Sequence, residues 1–440
     1  MPIVDRLRAI LQPFVRKGWG HWLRFALLLS GGVLLGHVLN HAPWLTQVRY
    51  SLYHREMMMR DRSQLYPKRT ALVLLNDDDY WGDSYQSRTP LKRDVLASLL
   101  DKLDALGVNT VALDMDLRSP RPDDPNFEFT DYQAEDAKLV AAIERMCAAG
   151  HHVVLASSIQ FGADGYTEMP SIYTAKLPKL PCVVRGYIQL PFDMRQIAGT
   201  LPLANGGQLD SMSLAVTGIA DPTARADSSA DTGHGFRFSE YLDEADFDKQ
   251  LNGRSFVFSG NQIMKTDPAA LRDQLVDKLV LVGANWHANG YGVGPLVDQH
   301  NSPGGMEPGV MLHANYVEAM LDRTGTFAPV SDSAAEIIEV GLVLALAVIG
   351  LFEIHVLWKW AALAVGLVLS LLLTYTLLQN LGLFLDFLIP LLMIVFHTLG
   401  EEVLGIWHEF RDLKRQHLKR HAEKSAVESR QEVNHEISAQ

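Results

Sequence analysis

The sequence predicts an α/β extracytoplasmic domain, a largely parallel sheet with helices on both faces, plus four transmembrane α-helices, one before the domain and three after it. Three observations predict it: four long runs without charge, an uneven placement of charge along the chain, and apolar strand-like runs alternating with helical patterns between the first run and the second.

At 440 residues the chain has the length of about three domains, and 48% hydrophobic with 20% charged residues excludes a disordered or collagen-like protein. The net charge is −12, from 39 Lys and Arg against 51 Asp and Glu, which argues against nucleic acid as a partner because phosphate binding needs a basic face. Residues 1–42 carry five basic residues and one acid, and 43–335 carry 26 basic against 38 acidic. Residues 336–400 hold Lys359 against four acids, and 401–440 hold seven against eight. The acidity therefore belongs to the 43–335 segment.

No charge interrupts Phe25 to Leu39, Val340 to Phe352 or Trp360 to Leu378, and only Asp386 interrupts Leu381 to Leu399. A bilayer core of about 30 Å needs roughly 20 helical residues. The third run reaches that length, and the others recruit flanks such as Trp22 to Arg24, or Ile337 and Glu339, whose polar heads reach the interface. Basic residues precede the first run (Arg6, Arg8, Arg16, Lys17, Arg24) and follow the last (Arg411, Lys414, Arg415, Lys419, Arg420). Positive flanks stay cytoplasmic, so both termini are expected inside the bacterial inner (plasma) membrane and the large domain in the periplasm or outside the cell. A cleaved signal peptide fits less well, because Leu39-Asn40-His41-Ala42 lacks small residues at both key positions.

The expected order is a basic N-terminus over 1–20, membrane helices over 21–42, 336–354, 360–378 and 381–400, the exported domain over 43–335, and a cytoplasmic tail over 401–440. Cys147 and Cys182 both fall in the exported part, where an oxidising compartment permits a bridge. Two buried free thiols fit the sequence as well.

Within the domain, Ala71 to Leu75 reads as a buried strand ending in Asn76-Asp77-Asp78-Asp79. Thr89-Pro90 supplies an N-cap and first-turn proline for a helix over Leu91 to Leu106, stopped by Gly107. Val108 to Leu113 is a second strand, ending in Asp114 and Asp116, Glu135 to Ala149 a helix, and His152 to Ala156 a third strand. Further on, Phe256 to Ser259 and Leu279 to Val282 read as strands, Asp267-Pro268 opens a helix, and Met311 to Arg323 forms another. Continuous apolar strands alternating with helices favour a parallel sheet covered on both faces. Between Gly162 and Gly253, dense proline, glycine and polar residues predict an insertion of loops with some antiparallel strands.

These residues carry a resemblance. The strand end Val73-Leu74-Leu75-Asn76-Asp77-Asp78, the helix with Leu99-Leu100 and Leu103, Gly107-Val108 leading to Leu113-Asp114, Leu279 to Gly283, and above all Pro308 to Asn315 resemble the type-2 CHASE domain, a sensory module of bacterial membrane receptors. The resemblance covers about residues 20 to 400 and implies one membrane helix before the module and three after it. It also implies that the domain feeds a cyclase or a histidine kinase. Only about 40 residues follow the last expected span, so the output is expected on a separate partner.

Independent chemistry is scarce. The sequence has no phosphate loop, paired-His zinc helix or nucleophile elbow, and no enzyme activity, cofactor or metal site is expected. Gly290, Gly292, Gly294, Gly304, Gly305 and Gly309 predict a flexible loop. Ligands of open α/β sheets bind outside the carboxyl ends of strands, which makes Asn76, Asp77, Asp78, Asp114, Asp116 and Asn285 the candidate ligand residues, joined by His313 at the following helix. The competing reading is that Asp77 to Asp79 cap a turn and Asp114 accepts backbone hydrogen bonds. Asp386, with Pro390 one turn on, is the acid inside an expected span and a candidate for transmembrane coupling.

The expected partners are the lipid bilayer, a small ligand or an envelope protein, and a separate signalling or membrane-complex partner, with a homodimer open. Val403, Ile406, Phe410 and Leu413 follow coiled-coil spacing that fails at His417 and Arg420, so the tail reads as a membrane-proximal amphipathic helix. The expected role is a sensor or regulatory subunit, with a structural scaffold subunit as the alternative and an exported enzyme last.

Overall fold

The computed structural model describes residues 67–118, 132–162, 165–169, 180–190, 199–225, 255–302, 305–321, the backbone of 356–381, most of 402–417 and scattered positions between. The chain forms two compact units, one of 47–331 with 375–385, the other of 1–46, 332–374 and 386–440.

The first unit is built on β1 (Thr70–Leu75), β2 (Thr110–Leu113), β3 (His152–Ser157), β6 (Val183–Tyr187), β9 (Val257–Ser259) and β10 (Leu279–Ala284). They form one six-stranded sheet in the order β6-β3-β2-β10-β1-β9, parallel throughout. β1, TALVLL, is buried at every position, which is why it reads as an unbroken apolar run rather than an alternating one. Two hairpins, β4 (Ile159–Gly162) with β5 (Gly165–Glu168) and β7 (Thr200–Pro202) with β8 (Gln208–Asp210), are antiparallel; β5, β7 and β8 lie in the middle segment, whose β6 instead joins the main sheet in parallel.

The connections cover both faces. Ala71, Val73, Leu75, Val111, Leu113, Val280 and Val282 pack beneath α2 (Arg93–Ala105), α3 (Tyr132–Ala148), α5 (Gly260–Lys265) and α6 (Pro268–Leu275). Leu72, Leu74, Ala112, Val154 and Leu281 pack beneath α4 (Met212–Ala220) and α7 (Gly309–Leu321). The period-2 alternation of strand side chains makes this division. At Gly283 a β-carbon would lie 2.4 Å from Val310, so α7 closes on β10 because that position has no side chain.

Several boundaries differ from expectation. α2 begins at Arg93 with Lys92 as an N-cap that makes no side-chain cap bond. Thr89 is drawn away instead, its hydroxyl 2.7 Å from the Tyr80 hydroxyl. Asp267 does cap α6, accepting from Ala269 N, with Pro268 in the first turn. α3 starts three residues earlier than expected, at Tyr132, where the Tyr132 hydroxyl receives bonds from fully buried Arg93 at 2.7 and 3.0 Å.

Cys147 and Cys182 are joined by a disulfide with Cα atoms 5.6 Å apart, fastening α3 to the start of β6. Closing that loop is worth roughly 4 kcal/mol in the chain-entropy model.

Among the described residues no helix is long and apolar enough to cross a membrane. The expected spans 21–42, 336–354 and 381–400 fall mostly or wholly outside the described residues, as do Asp386 and Pro390. The expected span 360–378 falls within α8 (Val356–Leu381), where Val365, Val368, Leu369 and Leu372 are exposed. A parallel pair of two-residue strands, β13 (Ala328–Pro329) and β14 (Leu383–Phe384), sits beside the end of α8.

Candidate functional site

The strand order places a topological switch point at the carboxyl end of the sheet. The chain leaves β1 and β2 toward the face of α2 and α3, whereas it leaves β10, which lies between them, toward α7 on the other face. Neighbouring strands whose connections part in opposite directions open the crevice in which α/β sheets bind ligands. Asn76, Asp114 and Asn285 each stand directly after one of these three strands.

After β1 the chain turns into a one-turn helix, α1 (Asp77–Tyr80). Asn76 Oδ1 accepts from Asp79 N (3.2 Å), and Asp79 Oδ2 accepts in return from Asn76 N (3.0 Å). The buried Asp79 carboxylate also accepts from Gly260 N (3.0 Å) and Asn261 N (2.6 Å), so it caps the start of α5. Burial raises its pKa, and the hydrogen bonds from Asn76, Asn261 and Gly260 only partly offset that rise. Asp79 thus takes the turn-capping role of the competing sequence reading, although only Asp77 and Asp78 stood among the candidate ligand residues.

Asp77 Oδ1 accepts from His287 N (2.7 Å), while Oδ2 is 2.7 Å from His287 Nδ1 and accepts from Gly292 N (2.8 Å). Burial pushes its carboxyl up, but these bonds together win and hold it below the ordinary value. Asp78 Oδ1 accepts from the Tyr291 hydroxyl (2.6 Å). Trp81 Nε1 donates to His287 O (3.0 Å), and the Tyr80 and Trp286 rings stack at 4.3 Å. The glycine-rich loop expected to be flexible is therefore bonded through side chains to α1, and internally through Ala288 N to Pro295 O and Val297 N to Trp286 O, both 2.9 Å.

Asp116 pairs with Arg118 at the surface. Burial raises its pKa, the Arg118 bonds lower it more, and the net shift is downward. Asn285 Oδ1 accepts from Gln299 Nε2 (3.3 Å). His313 is buried in α7 with Nδ1 3.0 Å from Ser213 Oγ and Nε2 3.3 Å from Ile188 O, which ties α7 to α4 and to the end of β6. Burial brings its pKa down to about 4, against the pull of the Ile188 carbonyl and Asp298, so the ring is neutral at ordinary pH.

Asp114 differs from these. Its N–H donates to Val282 O (2.8 Å), but its side chain is buried and Oδ2 has no hydrogen-bond partner. Burial, and then the charge of Asp298, raises its pKa well above the ordinary carboxylate value. Asp298 was hidden within the glycine-rich stretch; its φ of +54° is the local mark of its position, and that angle is legible only in three dimensions.

The structure thus sets Asp114 and Asn285 after two neighbouring strands at the switch point, Asn285 bonded to Gln299 next to Asp298, assigns Asp77 and Asp78 to holding the 287–292 loop, and sets Asp116 apart at the surface.

A parallel α/β sheet covered by helices on both faces, with polar residues at its strand ends, defines the class of the domain as open-sheet α/β. Residues 25–351 match the CHASE2 domain, and the chain belongs to that family, an extracellular sensory domain. Comparison with curated proteins and with solved structures gave no match.

Proposed function

We propose that the chain is a membrane-anchored extracytoplasmic sensor or regulatory subunit, with four membrane helices and cytoplasmic termini, that relays an envelope signal to a separate partner. The observation that carries this reading is the path of α7. It begins at the crevice, where Gly309 N donates to Asp298 O (2.9 Å), and near its far end Glu318 bonds the start of β1. One 13-residue helix, about 20 Å long, thereby connects the candidate input to the segments leading toward the expected spans on either side of the domain.

The topology draws support from the pairing of Ala328 with Leu383. That pairing sets Leu383 and Phe384, just after α8, beside the exit of the domain. The disulfide suits an oxidising compartment.

The test combines labelling and capture on the full chain in native membranes. Single cysteines added to a Cys147→Ser, Cys182→Ser background at exposed Asn289 and in the 401–440 tail should react with an impermeant maleimide from opposite sides. A stimulus-dependent cross-link to a partner should accompany them. Labelling from one side, or a fixed complex that substitutions at Asp114 and Asp298 leave unchanged, would contradict the reading and favour a scaffold.

A further inference from the structure

Among the candidate acids described at the strand ends, Asp114 is 7% exposed and leaves Oδ2 without a hydrogen bond. An ionised carboxylate so placed is costly unless a cation or a set of donors meets it. Another acid, Asp298, stands at the same end of the sheet: the next residue, Gln299, bonds Asn285 directly after β10, the strand paired with β2, and Asp298 O accepts from Gly309 N.

Asp298 is itself constrained. Its backbone sits at φ +54°, its carbonyl accepts from Gly309 N, and its carboxylate packs so close to α7 that a β-carbon on Gly309 would lie 2.6 Å from Oδ2. A non-glycine residue in that conformation is strained and persists where the surroundings over-determine it.

The other ionisable groups at this end are known by place. His300 Nε2 is 3.1 Å from Asp298 Oδ1, at the start of β11 (Gln299–Ser302). Glu307, in β12 (Gly305–Pro308), is buried and paired in register with His300. His313 follows one turn into α7 and is held by Ser213 and Ile188. The elements beside Asp114 add uncharged groups: Asn285 from β10, Ser211 and Ser213 from α4, and Ser157 from β3, whose hydroxyl donates to Glu168 Oε1 (2.7 Å) next to Arg185.

We propose that Asp114 and Asp298 form a two-carboxylate proton site at the switch point, so that the ligand read there is the hydrogen ion and loss of the proton from Asp114 drives the Asp298 loop off the start of α7. This deepens the sensor reading by naming its input. In the resting state Asp114 holds its proton; release to solvent would set a buried negative charge beside a second carboxyl group, and two neighbouring carboxylates resist ionising together. No group of three His, Cys, Asp or Glu side chains suited to a metal ion occurs among the described residues, and at 7% exposure the position admits a proton more readily than an organic cation. The raised pKa of Asp114 agrees with the geometry.

The test uses the purified full chain in micelles across a pH series. Difference infrared spectra should show a protonated carboxyl band that disappears in one transition above the ordinary carboxylate range. Hydrogen exchange in 285–302 and 309–314, corrected for intrinsic rates, should rise across the same transition. Asp114→Asn should remove both signals and keep the segments protected throughout. Asp298→Asn, which leaves the Asp114 carboxyl intact should the first variant fail to fold, should move the transition down by about one pH unit. Three results would overturn the proposal: a transition that Asp114→Asn leaves in place, one that Asp298→Asn does not move, or protection restored above it by millimolar calcium or magnesium, which would make the pair a cation site. Failure here leaves the sensor reading standing, because sidedness and partner capture are read at fixed pH.

Discussion

Glu318 holds Thr70 by both its backbone and its side chain: Oε1 accepts from Thr70 N at 2.6 Å and from the Thr70 hydroxyl at 2.8 Å, as well as from Arg69 N at 2.8 Å. Both residues are buried. The end of α7 is thereby fixed to the start of β1, so the chain enters and leaves the sheet domain through one shared contact.

Removing that acceptor should be expensive. Glu318→Ala leaves a buried N–H and hydroxyl without a partner, and about 2–4 kcal/mol of stability should be lost. Glu318→Gln keeps an acceptor oxygen and should lose less than half as much. Denaturant unfolding of the full chain, followed by tryptophan fluorescence, reads both values.

Asp77→Ala should release the 285–297 loop without unfolding the sheet, because it removes three bonds to that loop and none within the core. A loss of about 1.5–3 kcal/mol in local stability raises the open population roughly tenfold or more, and limited proteolysis within the loop should accelerate by that factor. The same loosening should follow acidification. The Asp77 pKa is depressed, so its contribution is present above the unfolded value of 3.8 and is lost as pH falls through the folded one.

Two buried groups should oppose each other in the pH dependence of stability. Neutral His313, with its pKa brought down from 6.5 to about 4, contributes stability that is present above 6.5 and lost as pH falls toward 4. Asp114, raised, contributes stability that is present below 3.8 and lost as pH rises through its folded pKa. Between the unfolded value of Asp114 and its raised folded one, the two slopes run in opposite directions. Asp114→Asn should expose the His313 term, a fall on the order of 3 kcal/mol from pH 6.5 to 4. His313→Asn should expose the opposite slope. Unfolding curves at several pH values measure both.

The disulfide offers a further check. Replacing Cys147 and Cys182 together by Ser should cost roughly 4 kcal/mol at most, and reductant should lower the melting temperature of the wild type but not of the double variant. Equal melting with and without reductant in the wild type would contradict it.

The parts of the fold legible in the sequence are those buried on both faces. β1, the middle of β3 and most of β10 are covered above and below, so their residues form unbroken apolar runs bounded by polar turns. β6 escaped notice because it carries Arg185 and Gly186, and Arg185 is there to bond Glu168 of the β4–β5 hairpin, at 2.8 Å. α4 is nine residues, the first six of them buried, so it shows too little polar face for a helical period, although Ser211 caps it in the ordinary way. At the site, the acids were visible as types at strand ends, but their division of labour was not. Asp77 and Asp79 meet partners some 180 to 215 residues away in sequence, and Asp298 reaches the end of β10 only through tertiary structure, where Gln299 bonds Asn285.

The central claim is that the state of the crevice travels along α7 to the exit of the domain. Hydrogen exchange of the full chain, compared between wild type and Asp298→Asn at one fixed pH, tests it most directly. The claim predicts that protection changes together at 309–314, at the Glu318 contact with Thr70 and at 328–329. A change confined to 285–302 and the first turn of α7, with the Glu318 end and 328–329 unaltered, would contradict it.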